Sequence, residues 1–275
     1  MNLYRWALKV GYLGWKYSGF QRQPNRKTIE NMIIEALQKE GVFDDYKKAK
    51  YNFASRTDKG VSAIGQVISF NSTVDKIILP KVNRLLPEDI WIFGYKQVAD
   101  NFNPRKDAIE KHYRYLTIYE GDISALKEAA VIFKGTHDFK NLSKRDRKRT
   151  ENTIRNIRKI EVKKIYPNLV AIDFFGKSFL WEQIRRMVRV ILNIANEKIS
   201  TEEIREVLEG KKALDIKPMP GEGLVLMDIR YNFDFVYDEK MLKYISKKIV
   251  ETICRHYTYY GIAKAIKGKI EELIA

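Results

Sequence analysis

Positions 54–67 carry the sequence Ala54-Ser55-Arg56-Thr57-Asp58-Lys59-Gly60-Val61-Ser62-Ala63-Ile64-Gly65-Gln66-Val67. Apolar residues lie on both sides of it, with Phe53 before and Ile68 and Phe70 after. Gly60 marks a turn, because glycine supplies backbone conformations that other residues avoid. The pattern predicts two strands joined by a tight loop that displays the side chain of Asp58.

The chemistry of this loop centres on Asp58, which has the cations Arg56 and Lys59 close to it in sequence. Nearby positive charge favours the ionised form of a carboxylate. An ionised carboxylate that is held in place can act as a covalent nucleophile. An aspartate in a turn also often hydrogen bonds to the backbone that follows it. Local chemistry alone leaves both roles, nucleophile and turn cap, open.

The whole stretch closely resembles the catalytic motif of the TruA family of tRNA pseudouridine synthases. In that family the aspartate of the motif is the nucleophile. The resemblance therefore implies that Asp58 is the catalytic residue of an isomerase that converts uridine to pseudouridine in tRNA. The sequence does not decide whether Asp58 attacks the base or the ribose. The matching residues are Arg56, Thr57, Asp58, Gly60, Val61, Ala63, Gly65, Gln66 and Val67.

Two further segments resemble motifs of the same family. Positions 12–24 form a loop rich in aromatic residues, glycine and amides, and they depart from the family pattern at Leu13, where an acid is usual. The segment His112-Tyr113-Arg114-Tyr115 opens a predicted strand, where aromatic residues are common without any function. The resemblance implies that Tyr113 stacks on the target base. A phenol ring suits this task, because it can stack on an unpaired base and offer a hydroxyl group.

A helix predicted from Phe179 to Asn196 carries the candidate partner of Asp58. Arg185 falls near the apolar stripe of this helix, and a buried cation needs a partner. The family pattern F-L-x-x-x-[VI]-R aligns with Phe179 and implies that Arg185 pairs with the catalytic aspartate. Arg189 lies one turn later, in a similar Met-Val-Arg run, and is the second candidate. The stripe consists of Phe179, Ile184, Met187 and Ile191.

Two other matches carry no catalytic assignment. The segment Gly135-Thr136-His137-Asp138-Phe139 fits a family motif, but adjacent residues seldom share the geometry of acid–base catalysis. We expect His137 to orient a loop. Positions 218–226 resemble the family's P-x-x-G-L-x-L segment, which implies a place in the floor of the active site.

The composition is that of a basic globular chain. It has 275 residues, 45% of them hydrophobic, which allows one large domain or two modest ones. Lysine and arginine number 51 against 35 acids, and the net charge of +16 indicates a polyanionic partner such as nucleic acid. The single cysteine, Cys254, excludes an intrachain disulfide and a cysteine-based zinc site, and the histidines lack metal-ligand spacing. We expect no signal peptide, no membrane span and a cytoplasmic setting.

Hydrophobic periodicity predicts two successive halves that each mix strands with a few helices, and therefore an α+β protein. The first strand alternates, which predicts that only one of its faces is buried. The resemblance implies two ferredoxin-like halves with antiparallel sheets joined across a central cleft, helices on the outer face and a C-terminal helical extension. The predicted boundaries enclose residues 1–104, 105–232 and 233–275.

The resemblance also implies the partners. It implies a homodimer that grips tRNA, and a reaction that needs no metal, nucleotide or redox cofactor. Members of the wider family modify tRNA positions 38–40, so the anticodon arm is the expected target. Cations should hold phosphates, which positions an RNA without reading its sequence. These cations are Arg56 and Lys59 and, in a basic loop, Lys144, Arg145, Arg147 and Lys148.

Two other classes of function stay open at this point. An α+β protein that only binds RNA would have no need of Asp58. A basic membrane-surface protein would use its amphipathic C-terminal segment, positions 239–275, to bind lipid. The apolar stripe of that segment must be buried against the chain itself, a second copy or a membrane. The first two are favoured, because acids lie among the lysines of the polar face.

Overall fold

One sheet of ten strands organises the molecule. A computed structural model describes residues 2–144 and 152–274, and all ten strands lie within these ranges. The predicted strands are all present, including β2 and β3 on either side of the Asp58 loop, and β6 and β10 join them. The strands are β1 (Tyr4–Tyr12), β2 (Asn52–Phe53), β3 (Ser62–Ser72), β4 (Ile90–Val98), β5 (Glu110–Ile118), β6 (Gly135–Asp138), β7 (Ile154–Tyr166), β8 (Leu169–Gly176), β9 (Leu224–Arg230) and β10 (Val236–Tyr237).

The order of the strands joins the two halves of the chain in one sheet. From edge to edge it is β10-β4-β1-β3-β9-β5-β8-β7-β6, with the short β2 beside β3. The halves meet where β3 runs parallel to β9, and this pairing joins only Ser62 to Val225 and Ala63 to Leu226. The other pairings are antiparallel. A mixed α and β fold with a mostly antiparallel sheet is thus confirmed, whereas ferredoxin-like halves and boundaries at 104 and 232 remain predictions.

Six α-helices accompany the sheet in the described ranges. Two of them are capped at the N-terminus by a side chain: Asp122 accepts a hydrogen bond from Ser124 N at 2.9 Å, and Ser200 accepts one from Glu203 N at 3.1 Å. Thr28 occupies the N-cap position of the first helix, but its hydroxyl makes no capping bond. The helices are α1 (Ile29–Lys39), α2 (Leu79–Asn83), α3 (Ile123–Val131), α4 (Gln183–Ala195), α5 (Thr201–Leu208) and α6 (Glu239–Ile274).

Strand β1 is buried on both faces, so the prediction of a half-buried strand is wrong. The polar face is covered, because Arg5 donates to Ser69, Asn71 and the carbonyl of Phe102 at 2.8–2.9 Å. Lys9, on the same face, forms an ion pair with Asp228 at 2.5 Å. Long cationic side chains with satisfied donors can be buried in this way, and the alternating pattern does not reveal it.

Helix α4 begins at Gln183 and not at Phe179 as predicted. Glu182 precedes it with a left-handed φ of +62°, which breaks the helical path. Gln183 accepts a hydrogen bond from Leu180 N at 2.8 Å, and Trp181 O accepts one from Lys144 N at 2.9 Å. The segment before α4 therefore forms a bonded loop beside the helix.

Helix α6 starts on the first half of the chain, and most of its later side chains are exposed. Met241 and Ile245 are buried, whereas Ile253 and Ile266 are about half exposed, at 48% and 56%. Of the two favoured partners, the chain's own body therefore leaves most of the stripe beyond Ile249 exposed, and burial of that part against a second copy remains a prediction. Within the described ranges, α6 and the shorter helices all lack the apolar length that a membrane span requires.

Candidate active site

The loop that carries Asp58 is bonded to neighbouring strands of the first half. Gln66, on β3, donates to Ser55 O at 2.7 Å and accepts from Ser55 N at 3.1 Å. The hydroxyl of Tyr12, at the end of β1, lies 2.7 Å from Thr57 Oγ1. These bonds flank Asp58 closely in sequence, and they hold its loop in one conformation.

Asp58 meets Arg185 across the junction of the two halves. Its Oδ2 accepts from Arg185 Nη2 at 2.7 Å and from Arg185 Nε at 3.1 Å. The side chains are 22% and 11% exposed. Charge-assisted bonds of this kind are among the strongest in proteins. The structure therefore brings together the two residues that the motifs single out.

Arg185 is itself held on more than one side. Its Nη1 donates to Met219 O at 2.7 Å, and its Nη2 lies 3.6 Å from a carboxylate oxygen of Glu182. The other oxygen of Glu182 accepts from Arg186 at 2.6 Å. Glu182, in its left-handed backbone conformation, thus binds two arginines of α4. Because these bonds leave the guanidinium little freedom to move, it can keep the carboxylate of Asp58 in one position.

A cavity of about 690 Å³ opens beside this ion pair, between the two halves. Its size is in the range of small-ligand sites and fits one nucleotide. Residues from positions 18–23 and 54–61 line one side, and residues from β5, α4 and positions 221–224 line the other. Three aromatic side chains on the second side offer surfaces on which bases can stack. They are Tyr113, Phe179 and Trp181.

Tyr113 lies inside this cavity with its ring edge-on to Phe179, at 5.4 Å between ring centroids and 83° between planes. Burial raises the pKa of its phenol to about 12; the charge of Asp58 also raises it, and a hydrogen bond with Ser55 acts in the opposite direction. The phenol therefore keeps its proton at neutral pH. It can offer both an aromatic face and a hydroxyl donor.

Two glycines keep the floor of the cavity open. Gly60 has a φ of +82°, and a Cβ on it would lie 2.7 Å from Glu222 Oε1. Gly19 has a φ of +103°, and its Cβ would lie 2.9 Å from Thr57 O. Side chains at either position would be strained and would push on the Asp58 loop.

Lys111 is a cavity residue that the sequence analysis missed. It lies on β5 two residues before Tyr113, and it donates to Ala54 O at 2.7 Å and to Ser55 Oγ at 2.8 Å. Burial lowers the pKa of its ammonium group to about 7, and the charge of Arg105 lowers it further. The only signal in the sequence is the strand period of two, which places positions 111 and 113 on one face.

The cations expected to hold phosphates are in part described. Arg56, Lys59 and Lys144 line the cavity, and Lys144 Nζ lies 4.3 Å from the ring centroid of Trp181. Arg145, Arg147 and Lys148, also expected in this role, lie outside the described residues.

The two other candidates lie away from the cavity. Arg189 lies one turn beyond Arg185 on α4 and does not line it. His137 has its Nε2 3.0 Å from Lys134 O, within its own loop. In the described part of the chain, no group of three or more His, Cys, Asp or Glu side chains could hold a metal ion.

Comparisons with known proteins show the family of the chain. Residues 129–232 match the family model described as tRNA pseudouridine synthase. The protein named tRNA pseudouridine synthase A from Methanobrevibacter smithii is 38% identical, over 98% of this chain and 98% of its own length. Proteins of the same name from Pyrococcus furiosus and Pyrococcus horikoshii are 42% and 39% identical, over 92% and 94% of this chain and 93% and 98% of their own lengths. Because these similarities extend along nearly the whole chain, the protein belongs to the tRNA pseudouridine synthase A family of isomerases.

Proposed function

We propose that this protein converts uridine to pseudouridine in tRNA, with Asp58 as the nucleophile. The observation that carries the proposal is the ion pair between Asp58 and Arg185, which stands in a cavity of nucleotide size beside Tyr113. A carboxylate fixed at the wall of such a cavity can attack a bound nucleotide.

The reaction is an isomerisation in which no atom is gained or lost. Asp58 allows the bond between ribose C1′ and uracil N1 to break, the uracil rotates, and a new bond forms between C1′ and C5. The proton on C5 leaves, and N1 gains one. Arg185 keeps Asp58 placed, and Tyr113 stacks on the uracil with its protonated phenol, because a flipped base is bound by stacking and by edge contacts.

The RNA backbone is bound by the cations at the cavity. Arg56, Lys59 and Lys144 line it, and the chain carries a net charge of +16. Extruding a base from a stem costs a few kcal/mol, which phosphate contacts help to offset. We propose the same role for Arg145, Arg147 and Lys148 in the neighbouring loop.

The proposal extends to the target, the oligomer and the compartment. The anticodon arm, at positions 38–40, is the proposed target, as the family resemblance implies. A homodimer is the proposed working form, and the exposed apolar side chains of α6 support it, since exposed patches of this kind commonly mark protein contacts. The proposed compartment is the cytoplasm, and the fold is proposed to consist of two ferredoxin-like halves.

The test of the nucleophile compares Asp58→Asn with Asp45→Asn. Asp45 is a turn aspartate that accepts from the backbone of Lys47 and Lys48 at 2.6 and 3.0 Å, and it is the matched control. Pseudouridine is mapped in unmodified tRNA after incubation with each protein, and tRNA affinity is measured in parallel. We expect Asp58→Asn to form no pseudouridine while still binding tRNA, and Asp45→Asn to behave as the wild type.

Two outcomes would contradict the proposal in different ways. Substantial turnover by Asp58→Asn would exclude Asp58 as the nucleophile. A wild-type protein that binds tRNA and forms no pseudouridine would favour a protein that only binds RNA. The positions mapped for the wild type test the anticodon arm directly.

A further inference from the structure

Lys111 bridges the two halves of the molecule at the base of the Asp58 loop. Its ammonium group donates to Ala54 O and Ser55 Oγ, the residues that lead into Arg56, Thr57 and Asp58. Only 6% of Lys111 is exposed. Gln66 and Tyr12 bind the same loop from the first half, whereas Lys111 ties the start of the loop to the second half, together with the hydrogen bond between Tyr113 and Ser55.

The position of Lys111 on β5 links this contact to Tyr113 and to the cavity. Residues two apart on a strand project to the same side, so Lys111 and Tyr113 leave β5 toward the same cavity, which both line. We propose that Lys111 is a positioning residue, which fixes the Asp58 loop against β5 and thereby sets the distance between the nucleophile and the ring of Tyr113. This inference rests on the proposed function, because that distance matters only if both residues meet the same nucleotide.

A lysine is a costly choice for this place. Among the described residues Lys111 has no carboxylate in ion-pair distance, and burial of its ammonium group lowers its pKa to about 7. An apolar side chain would avoid the cost of burying a cation. What an apolar side chain cannot do is donate to Ala54 O and Ser55 Oγ together. Residues that weaken folding in this way are typical of functional sites.

The contact complements the one made by Arg185. Arg185 binds the carboxylate of Asp58 itself, whereas Lys111 binds the backbone and hydroxyl groups three to four positions earlier. Without Lys111, the loop could shift along β5 while the ion pair persisted. A misplacement of about 1 Å can cost about 10²-fold in rate, because the reacting atoms then miss the geometry of attack.

The test compares Lys111→Met with Lys9→Met. Lys9 is also a buried lysine of the same sheet, but it pairs with Asp228 and does not line the cavity, so it is the matched control. Turnover and KM are measured with unmodified tRNA. We expect Lys111→Met to lower kcat by about 10²-fold with little change in KM, which marks an effect on the transition state, and we expect Lys9→Met to keep the wild-type kcat.

Each other result decides the matter. Wild-type kcat in Lys111→Met would overturn the inference, and so would an equal decrease of kcat in both variants, since that would be a general effect on folding. If Lys111→Met does not fold, Lys111→Gln is measured instead, since its shorter side chain cannot reach both Ala54 O and Ser55 Oγ as the lysine does: a lowered kcat at unchanged KM supports the inference and wild-type kcat overturns it. An inactive wild-type protein would instead contradict the proposed function.

Discussion

Arg185 reaches Asp58 from the other half of the chain and is held by Met219 O and Glu182 on its far side. The carboxylate therefore has its counter-charge supplied by a side chain with little freedom to move. Arg189, the second candidate from the sequence, lies one turn further along α4 and does not line the cavity. Substitutions of the two arginines are therefore expected to affect turnover differently.

Arg185→Ala should lower turnover far more than Arg189→Ala. Without Arg185, Asp58 loses the two bonds that place its carboxylate, and a misplacement of about 1 Å can cost about 10²-fold in rate. Single-turnover rates of the two variants, at saturating tRNA, measure the difference. If Arg189→Ala is the more damaging change, the alignment of the helix with the family motif is wrong by one turn.

Lys111 should make the stability of the protein depend on pH in the alkaline range. Its folded-state pKa of about 7 lies below the ordinary value of 10.5, so above pH 7 the unfolded chain binds more protons. Stability therefore rises with pH until the unfolded lysine also loses its proton. The difference in unfolding free energy between wild type and Lys111→Met should shift in favour of the wild type by roughly 1 kcal/mol per pH unit.

Urea denaturation of both proteins at several pH values between 7 and 10 measures this shift. Because the comparison is a difference between two proteins, the titration of the other groups largely cancels. A constant difference across the range would mean that Lys111 keeps an ordinary pKa in the folded state.

The sequence singled out Asp58, Tyr113 and Arg185 because each stands in a run of residues with fixed spacing, and all three line the cavity. Lys111 was missed for a physical reason. It is one of 51 lysines and arginines, and nothing in a local pattern tells a buried ammonium group from a solvated one. Lys111 is buried because the Asp58 loop packs against β5, and this contact joins residues that are far apart in the sequence.

Among the elements, α6 has a buried beginning and an exposed remainder. Met241 and Ile245 pack on the first half, and Trp15 meets His256 at 4.9 Å between ring centroids. Beyond this point Ile262, Ile266 and Ile270 stand 50–56% exposed. A helix of this length with exposed apolar side chains is marginal by itself and gains from a partner.

Two truncations separate the roles of α6. Ending the chain after Asp238 removes Met241 and Ile245 and should lower stability by about 3–6 kcal/mol, at about 1.5–3 kcal/mol for each buried side chain. Ending it after Ile249 removes the mostly exposed part, including His256 with its contact to Trp15, and should lower the melting temperature much less than the first truncation. We expect both truncated proteins to lose dimer mass in solution.

Both truncated proteins should keep Asp58, Tyr113 and Arg185 assembled, because these residues are bonded to the core of the sheet. A dimer that persists after truncation at Ile249 would place the interface between copies elsewhere. A folded, dimeric truncated protein without turnover would show that α6 helps to build the active site or to bind tRNA.

Prediction of the elements failed where tertiary contacts override local patterns. The first turn predicted for α4 is absent because Glu182 adopts a left-handed conformation and binds Arg185 and Arg186 instead. Strand β1 alternates like a surface strand, yet Arg5 and Lys9 find buried partners. In both cases a charged side chain has partners inside the molecule that its residue type does not indicate.

Over the whole molecule, the charge of +16 predicts binding that depends steeply on salt. Replacing Lys144, Arg145, Arg147 and Lys148 together by glutamine should reduce the slope of log affinity against log salt by about one unit for each phosphate that is no longer bound. The choice of target uridine should not change, because phosphates carry no sequence information.

The matched control replaces four exposed lysines away from the cavity and changes the net charge equally. These are Lys39, Lys47, Lys48 and Lys50. Affinities for tRNA between about 50 and 200 mM salt, a range over which phosphate contacts change binding strongly, give the slopes. Equal slopes for the loop variant and the wild type would mean that the loop is merely solvated, and that tRNA binds another surface.

Hydrophobic periodicity in the sequence predicts that two successive halves each contain strands and helices. It does not predict the way the halves join. The parallel pairing of β3 with β9 covers two residue pairs, and the Cα of Asp228 leaves no room for a Cβ on Gly65. Pairings this short leave no pattern in a sequence, since their partners are more than 150 positions apart.

The pairing of β10 with β4 joins a strand made late in translation to one made early, and this has a consequence for the nascent chain. Strand β4 ends at Val98, whereas its edge partner ends at Tyr237, so the ribosome must add 139 residues (237 − 98) before β10 can pair with Gly94 and Tyr95 on this edge. At about 5–20 residues per second, the nascent first half presents an open strand for roughly 7–28 s. Open strand edges invite pairing with other chains. A stalled or prematurely ended translation product that contains the Asp58 loop but lacks β10 is therefore expected to bind chaperones.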